Sequence, residues 1–171
     1  MLTPMHAYVL TEKRDRETIE RFLDMYVNRE TSIDRGNENL YVRPLNWRDE
    51  DLLLMNRYDR EPAIDLSHVI SLGLAVPRRA FCLYLDARRD DIRQAALGFT
   101  TDDCLVLGLG VESHRRAYEA TMQAKILLNL LVDTFDCRAG LIAVEQAPPS
   151  KSEVFWTGKG IAIPILMWHE E

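Results

Sequence analysis

The chain alternates between stretches whose apolar residues recur every second position and stretches where they recur at helical spacing. His6 to Leu10 has the alternation of a first strand and runs into a polar segment, Thr11 to Glu17, that opens a helix. Ile19, Phe22, Leu23, Tyr26 and Val27 then follow the i, i+3, i+4, i+7, i+8 template, which gathers them on one face of that helix. Leu40 to Arg43 reads as a short strand stopped by Pro44, and Asn46 as the cap of a brief helix from Trp47 to about Asn56. Between Pro62 and Pro77 the positions of Leu66, Val69 and Ile70 predict a short helix, with Gly73 just past its C-terminus.

From there the pattern turns to period two. Phe81 to Asp86 is a strand, and Ile92 to Thr100 and Cys104 to Val111 flank Thr101, Asp102 and Asp103, which predicts an antiparallel hairpin. In its second arm Leu105, Leu107, Leu109 and Val111 share one face, while Gly108 and Gly110 on the other leave room for close packing. Ser113 reads as the N-cap of the longest helix, about His114 to Asp136. Ala117, Ala120, Ala124, Leu127, Leu128, Leu131 and Phe135 trace its buried stripe, which Ile126, Leu130 and Val132 widen toward the C-terminal end. Ala139 to Val144 is a further strand ended before Pro148 and Pro149, and Ile161 to Trp168 is the last, placed at a sheet edge by Pro164.

Strands in runs with helices between them predict an α+β fold, a mixed and mainly antiparallel sheet with helices packed on it. No repeat, low-complexity tract or Gly/Ser linker divides the sequence, so residues 1–171 read as a single globular domain. A globule of this length buries about 70% of the surface its unfolded chain exposes, enough to fold without a metal or disulfide. Hydrophobic residues are 47% of the chain and charged residues 28%, too apolar a balance for intrinsic disorder.

A net charge of −6 opposes sequence-independent attraction to phosphate backbones, so nucleic acid is not an expected partner. The basic pairs Arg78-Arg79, Arg88-Arg89 and Arg115-Arg116 read as solvated element ends. No stretch approaches the roughly 18 uninterrupted apolar residues of a membrane span, and Met1 to Val9 lacks a basic segment followed by an apolar run, so the expected address is the cytoplasm. Cys82, Cys104 and Cys137 are odd in number and widely spaced, which fits buried thiols.

Known catalytic patterns do not fit. Gly158-Lys159-Gly160 has the Gly-Lys pair of a phosphate loop, but Glu153 stands where the first glycine belongs and no Ser or Thr follows the lysine. Ser67 and His68 near Asp65 have the residue types of a triad, yet neighbours on a helix point about 100° apart and cannot hydrogen-bond as nucleophile and base. His6, His68, His114 and His169 never take a metal-binding spacing, and no cysteine pair does. No metal and no cofactor is expected. Asp49, Glu50 and Asp51 suit a helix first turn, and Asp102 and Asp103 a hairpin turn.

Aromatics beside acids stand out. Trp47 adjoins Asp49, Glu50 and Asp51, and Phe155 and Trp156 fall in a loop-like segment between Pro149 and Gly158. Such rings supply contact area at a protein interface, and such acids steer a basic partner. The expected function is therefore a non-catalytic protein-binding module, an inhibitor or immunity-type protein. The resemblance to small bacterial immunity-type proteins is one of size, charge and α+β build. The competing expectation is a small hydrolase or transferase whose site is assembled from scattered residues, with His68 or His114 beside a carboxylate. A homo-oligomer held along the strand near Pro164 is a third.

Overall fold

The computed structural model describes residues 5–29, 41–44, 66–78, 80–111, 116–137, 139–144, 146–157 and 163–166, with 41–44 and 163–166 described by backbone. In chain order the elements are β1 (Met5–Thr11), α1 (Arg16–Tyr26), β2 (Tyr41–Pro44), α2 (Leu66–Ala75), β3 (Phe81–Asp86), β4 (Ile92–Phe99), β5 (Leu105–Val111), α3 (Ala117–Phe135), β6 (Ala139–Val144), α4 (Glu153–Thr157) and β7 (Ile163–Leu166). The strands form one α+β sheet in the order β2-β3-β4-β5-β1-β6-β7. Every pairing in it is antiparallel. β7 with Pro164 lies at one edge, as its proline requires, and β2 with Pro44 at the other.

β5 and β6 both run antiparallel to β1, which lies between them, so the chain must cross the sheet to return in the same direction. The 19-residue α3 makes that crossing and packs on β1, β5 and β6. Alternation then sorts the strand residues onto two faces. Ala7, Val9, Leu83, Leu97, Leu107 and Ile142 join Phe22, Leu23, Leu127 and Leu131 in the larger core, beneath α1, α2 and α3. Tyr8, Leu10, Tyr84, Ala96, Val106, Leu141 and Ala143 form a second buried cluster on the opposite face.

Local chemistry places the elements. The Asp15 carboxylate accepts from the Thr18 amide at 2.7 Å and caps α1, a contribution of about 1 kcal/mol. Just before it, the Arg14 side chain is 3% exposed and ties three elements together. Its guanidinium donates to the carbonyls of Thr100 at 2.7 Å and Cys104 at 3.3 Å in the β4–β5 hairpin, and to Gly73 at 2.5 Å and Val76 at 3.4 Å at the end of α2. A cation at a helix C-terminus is favoured by the dipole there, and Arg14 also lies over the Phe99 ring at 5.1 Å.

The hairpin turn holds Asp103 at φ 66°, a left-handed conformation that aspartate tolerates, as the sequence implied. Asp102 accepts from the Ser152 amide at 2.9 Å and from its hydroxyl, and the Thr101 amide donates to the Ser150 carbonyl at 2.8 Å. Burial acts to raise the Asp102 carboxyl, but the bonds from Ser152 and Thr100 prevail and hold it below its ordinary value.

Three expectations are corrected. Gly73 lies inside α2 rather than beyond it, because the Phe99 ring packs so close that a Cβ there would stand 2.6 Å from it. α3 begins at Ala117 with Arg116 at its cap and no side-chain capping bond, three residues beyond the cap read from Ser113, which itself lies outside the described residues. The segment read as a loop around Phe155 is the short helix α4. The helix expected from Trp47 to Asn56 lies outside the described residues.

Candidate functional site

Two places in this fold combine exposure or burial with chemistry that packing alone does not account for. The first lies on the second face of the sheet. Cross-strand register sets Tyr8, Gly108, Ala96 and Tyr84 in one row and His6, Gly110, Gln94 and Asp86 in the next. With no side chain on Gly108 or Gly110, the rings of β1 lean over β5. A Cβ on Gly108 would stand 2.5 Å from Tyr8 Cδ1, and one on Gly110 3.0 Å from His6 Nε2. The His6 and Tyr8 rings stack at 5.5 Å and 4°, and Tyr84 meets His6 edge-on at 6.3 Å.

His6 is 8% exposed. Its Nε2 faces Gln94 Oε1 at 3.4 Å across Gly110, a contact that favours the tautomer with the proton on that nitrogen. Nδ1 is buried without a hydrogen-bond partner among the described residues. Burial lowers the imidazole pKa, the Gln94 bond works against that, and the like charge of Arg93 adds to it. The group is thus a neutral imidazole enclosed among rings, with its lone pair on Nδ1. The Tyr8 hydroxyl donates to the Gln146 carbonyl at 3.1 Å, joining this layer to the 146–157 segment, whose Phe155 closes the cluster from above.

The second place is the outer side of α3. Ala120, Ala124, Leu127, Leu128, Leu131, Val132 and Phe135 are buried as the stripe predicted, whereas Ala117, read into the same stripe, is exposed in the first turn. Ile126 is not part of that stripe: it is 57% exposed, with Tyr118 at 75% and Met122 at 41%. At i, i+4 and i+8 these three form one ridge pointing to solvent. Glu119, Lys125, Asn129 and Asp133 are the exposed polar positions around it. Leu130, the next position of the row, is partly buried against the core. The repeat of a second apolar row on the side opposite the alanines was the sequence signal for it.

The sequence-derived site residues separate. Phe155 is fully buried in the second cluster, so it pins α4 to the sheet and is not presented to a partner. Trp156 next to it is 43% exposed. Trp47, Asp49, Glu50 and Asp51 lie outside the described residues, as do His114, His169 and Lys159. Ser67 and His68 are both exposed on α2. Arg89 forms a bidentate pair with Asp91, and Arg88 donates to the Asp24 carbonyl at 2.8 Å, so these two cations are engaged locally. Cys82, Cys104 and Cys137 are buried free thiols. Burial and the neighbouring Asp136 push Cys137 up to about 12. Among the described residues no three His, Cys, Asp or Glu side chains gather as a metal ion would need, and no helix is long and apolar enough to cross a membrane. No family model, no curated protein and no solved structure matches the chain.

Proposed function

We propose that the chain is a non-catalytic protein-binding module of the cytoplasm, an inhibitor or immunity-type protein, which docks through the outer ridge of α3. The observation that carries this reading is the exposure of Tyr118, Met122 and Ile126 at 75%, 41% and 57% on a helix whose opposite side is fully committed to the core. Large apolar side chains at i, i+4 and i+8 are the anchors of helix-in-groove recognition, and methionine among them adapts to the surface it meets. The patch they form is on the order of 300 Å². That falls well short of the roughly 800 Å² per partner of a stable interface, so the ridge is the centre of a larger contact and not a dimer seam by itself.

A convex ridge calls for a partner with an apolar groove. Glu119 and Asp133 against Lys125 on this side of α3, and the net charge of −6, suit a groove with a basic rim. Three free buried thiols fit a reducing compartment. The catalytic alternative rests on His68, which is exposed on α2, or on His114, which lies outside the described residues.

The test compares capture from cells of origin by the wild-type protein and by an Ile126→Asp, Tyr118→Ser double variant, both checked for an unchanged circular dichroism spectrum. Proteins retained by wild type and lost by the variant support the reading. A partner held equally by both removes the ridge as the docking face.

A further inference from the structure

A buried imidazole with one nitrogen bonded and the other bare tolerates one protonation state and not the other. In the neutral form Nε2–H donates to Gln94 and the Nδ1 lone pair, the weaker demand, goes without a partner. Adding a proton to Nδ1 places a second N–H and a full charge in a buried position where no acceptor stands among the described residues. The elements packed around His6 offer no remedy among the described residues. β5 presents Gly110, which has no side chain, and β6 presents Ala143. β3 presents the Tyr84 ring. β4 presents Gln94 with Arg93, a like charge, beside it. The carboxylate in the same row, Asp86, stands on β3 on the far side of Gln94.

We propose that His6 is a proton-operated latch on the second face of the sheet: neutral, it closes the ring layer of Tyr8 and Tyr84 over Gly108 and Gly110, and protonated, it opens that layer. This is independent of the docking ridge, which lies across the sheet on α3. The sign follows from linkage. A histidine whose pKa is lowered on folding leaves the unfolded chain binding more protons than the folded one. Its stabilising effect is fully present above the unfolded value of about 6.5 and is lost as pH falls from there through the folded value. The folding equilibrium constant then drops by up to about tenfold for each pH unit in that window.

Two measurements decide it. In the first, the histidine Cε1–H proton resonances of the folded wild-type protein are titrated from pH 8 to pH 5, with His6 assigned by its disappearance in His6→Gln. The latch requires His6 to stay neutral through pH 6.5 and to become charged together with a loss of near-ultraviolet circular dichroism from the ring layer. Titration at or above pH 6.5 with the ring signal intact overturns the proposal. In the second, urea unfolding across the same range reads the folding constant of wild type and His6→Gln. The wild-type constant falls below pH 6.5 and that of the variant falls distinctly less; equal slopes overturn the proposal. If His6→Gln does not fold, His68→Gln, His114→Gln and His169→Gln assign the other three histidine resonances, His6 follows by elimination, and the wild-type titration decides.

Discussion

Gly108→Ala isolates the packing that organises the second face of the sheet. Its backbone is an ordinary strand, so alanine is sterically allowed there, and replacing a strand glycine in the absence of a clash stabilises by roughly 0.5–1 kcal/mol. At this position the new Cβ meets Tyr8 Cδ1 at 2.5 Å and Cε1 at 2.6 Å, and the Ala96 Cβ at 3.2 Å. Tyr8 is fully buried, stacked on His6 and bonded through its hydroxyl to the Gln146 carbonyl, so it cannot turn away without giving up those contacts. Overpacking of this kind costs about 1–3 kcal/mol, and displacing the ring adds part of a hydrogen bond and of a stacking contact, each about 0.5–1.5 kcal/mol. The clash outweighs the propensity gain, and a net loss of about 1–3 kcal/mol is expected by urea denaturation. A Tyr8→Leu background should remove most of that loss, appearing as a coupling of about 1 kcal/mol or more in the double-mutant cycle. A neutral or stabilising Gly108→Ala in the wild-type background would refute the close approach of the two strands.

Arg14→Lys should cost about 2–4 kcal/mol, because an ammonium cannot span the carbonyls of Gly73, Val76, Thr100 and Cys104 that the guanidinium fork reaches. A change in unfolding free energy under about 1 kcal/mol would show that this tie between α2 and the hairpin is dispensable. All three cysteines should react slowly with a water-soluble thiol reagent until urea unfolds the chain, Cys137 above all, since burial pushes its thiol up to about 12 and leaves little thiolate at neutral pH. Rapid labelling of any one in the native protein would contradict its burial.

Much of this architecture is legible in the residues because period and punctuation agree. Phe81 to Asp86 and Ala139 to Val144 are strands with the bounds their apolar runs predict, and the two faces of β5 follow from the Leu and Gly alternation. Helix α1 is legible from its single stripe. The failures share a cause, dependence on partners distant in sequence. Gly73 looks like a helix end until Phe99 is placed against it. Phe155 looks exposed between Pro149 and Gly158 until the second face of the sheet requires a cover. His6 acquires its environment from Gln94, 88 residues away, through a register that no local pattern encodes. Ile126 was read into the buried stripe because an apolar residue on a helix carries no mark of which side it faces; its spacing from Tyr118 and Met122 was the available clue.

The docking claim is tested most directly by photo-cross-linking in cells of origin, with a photoreactive amino acid at position 122 on the α3 ridge and, separately, at position 156 on α4. Met122 and Trp156 are similarly exposed, at 41% and 43%, but belong to helices on opposite faces of the sheet, so accessibility alone cannot favour one over the other. The account predicts a discrete cross-linked species from position 122 that is lost when Ile126 is changed to Asp, and no such species from position 156. A partner cross-linked from position 156 and not from 122 would contradict it and move the binding surface to the other side of the molecule.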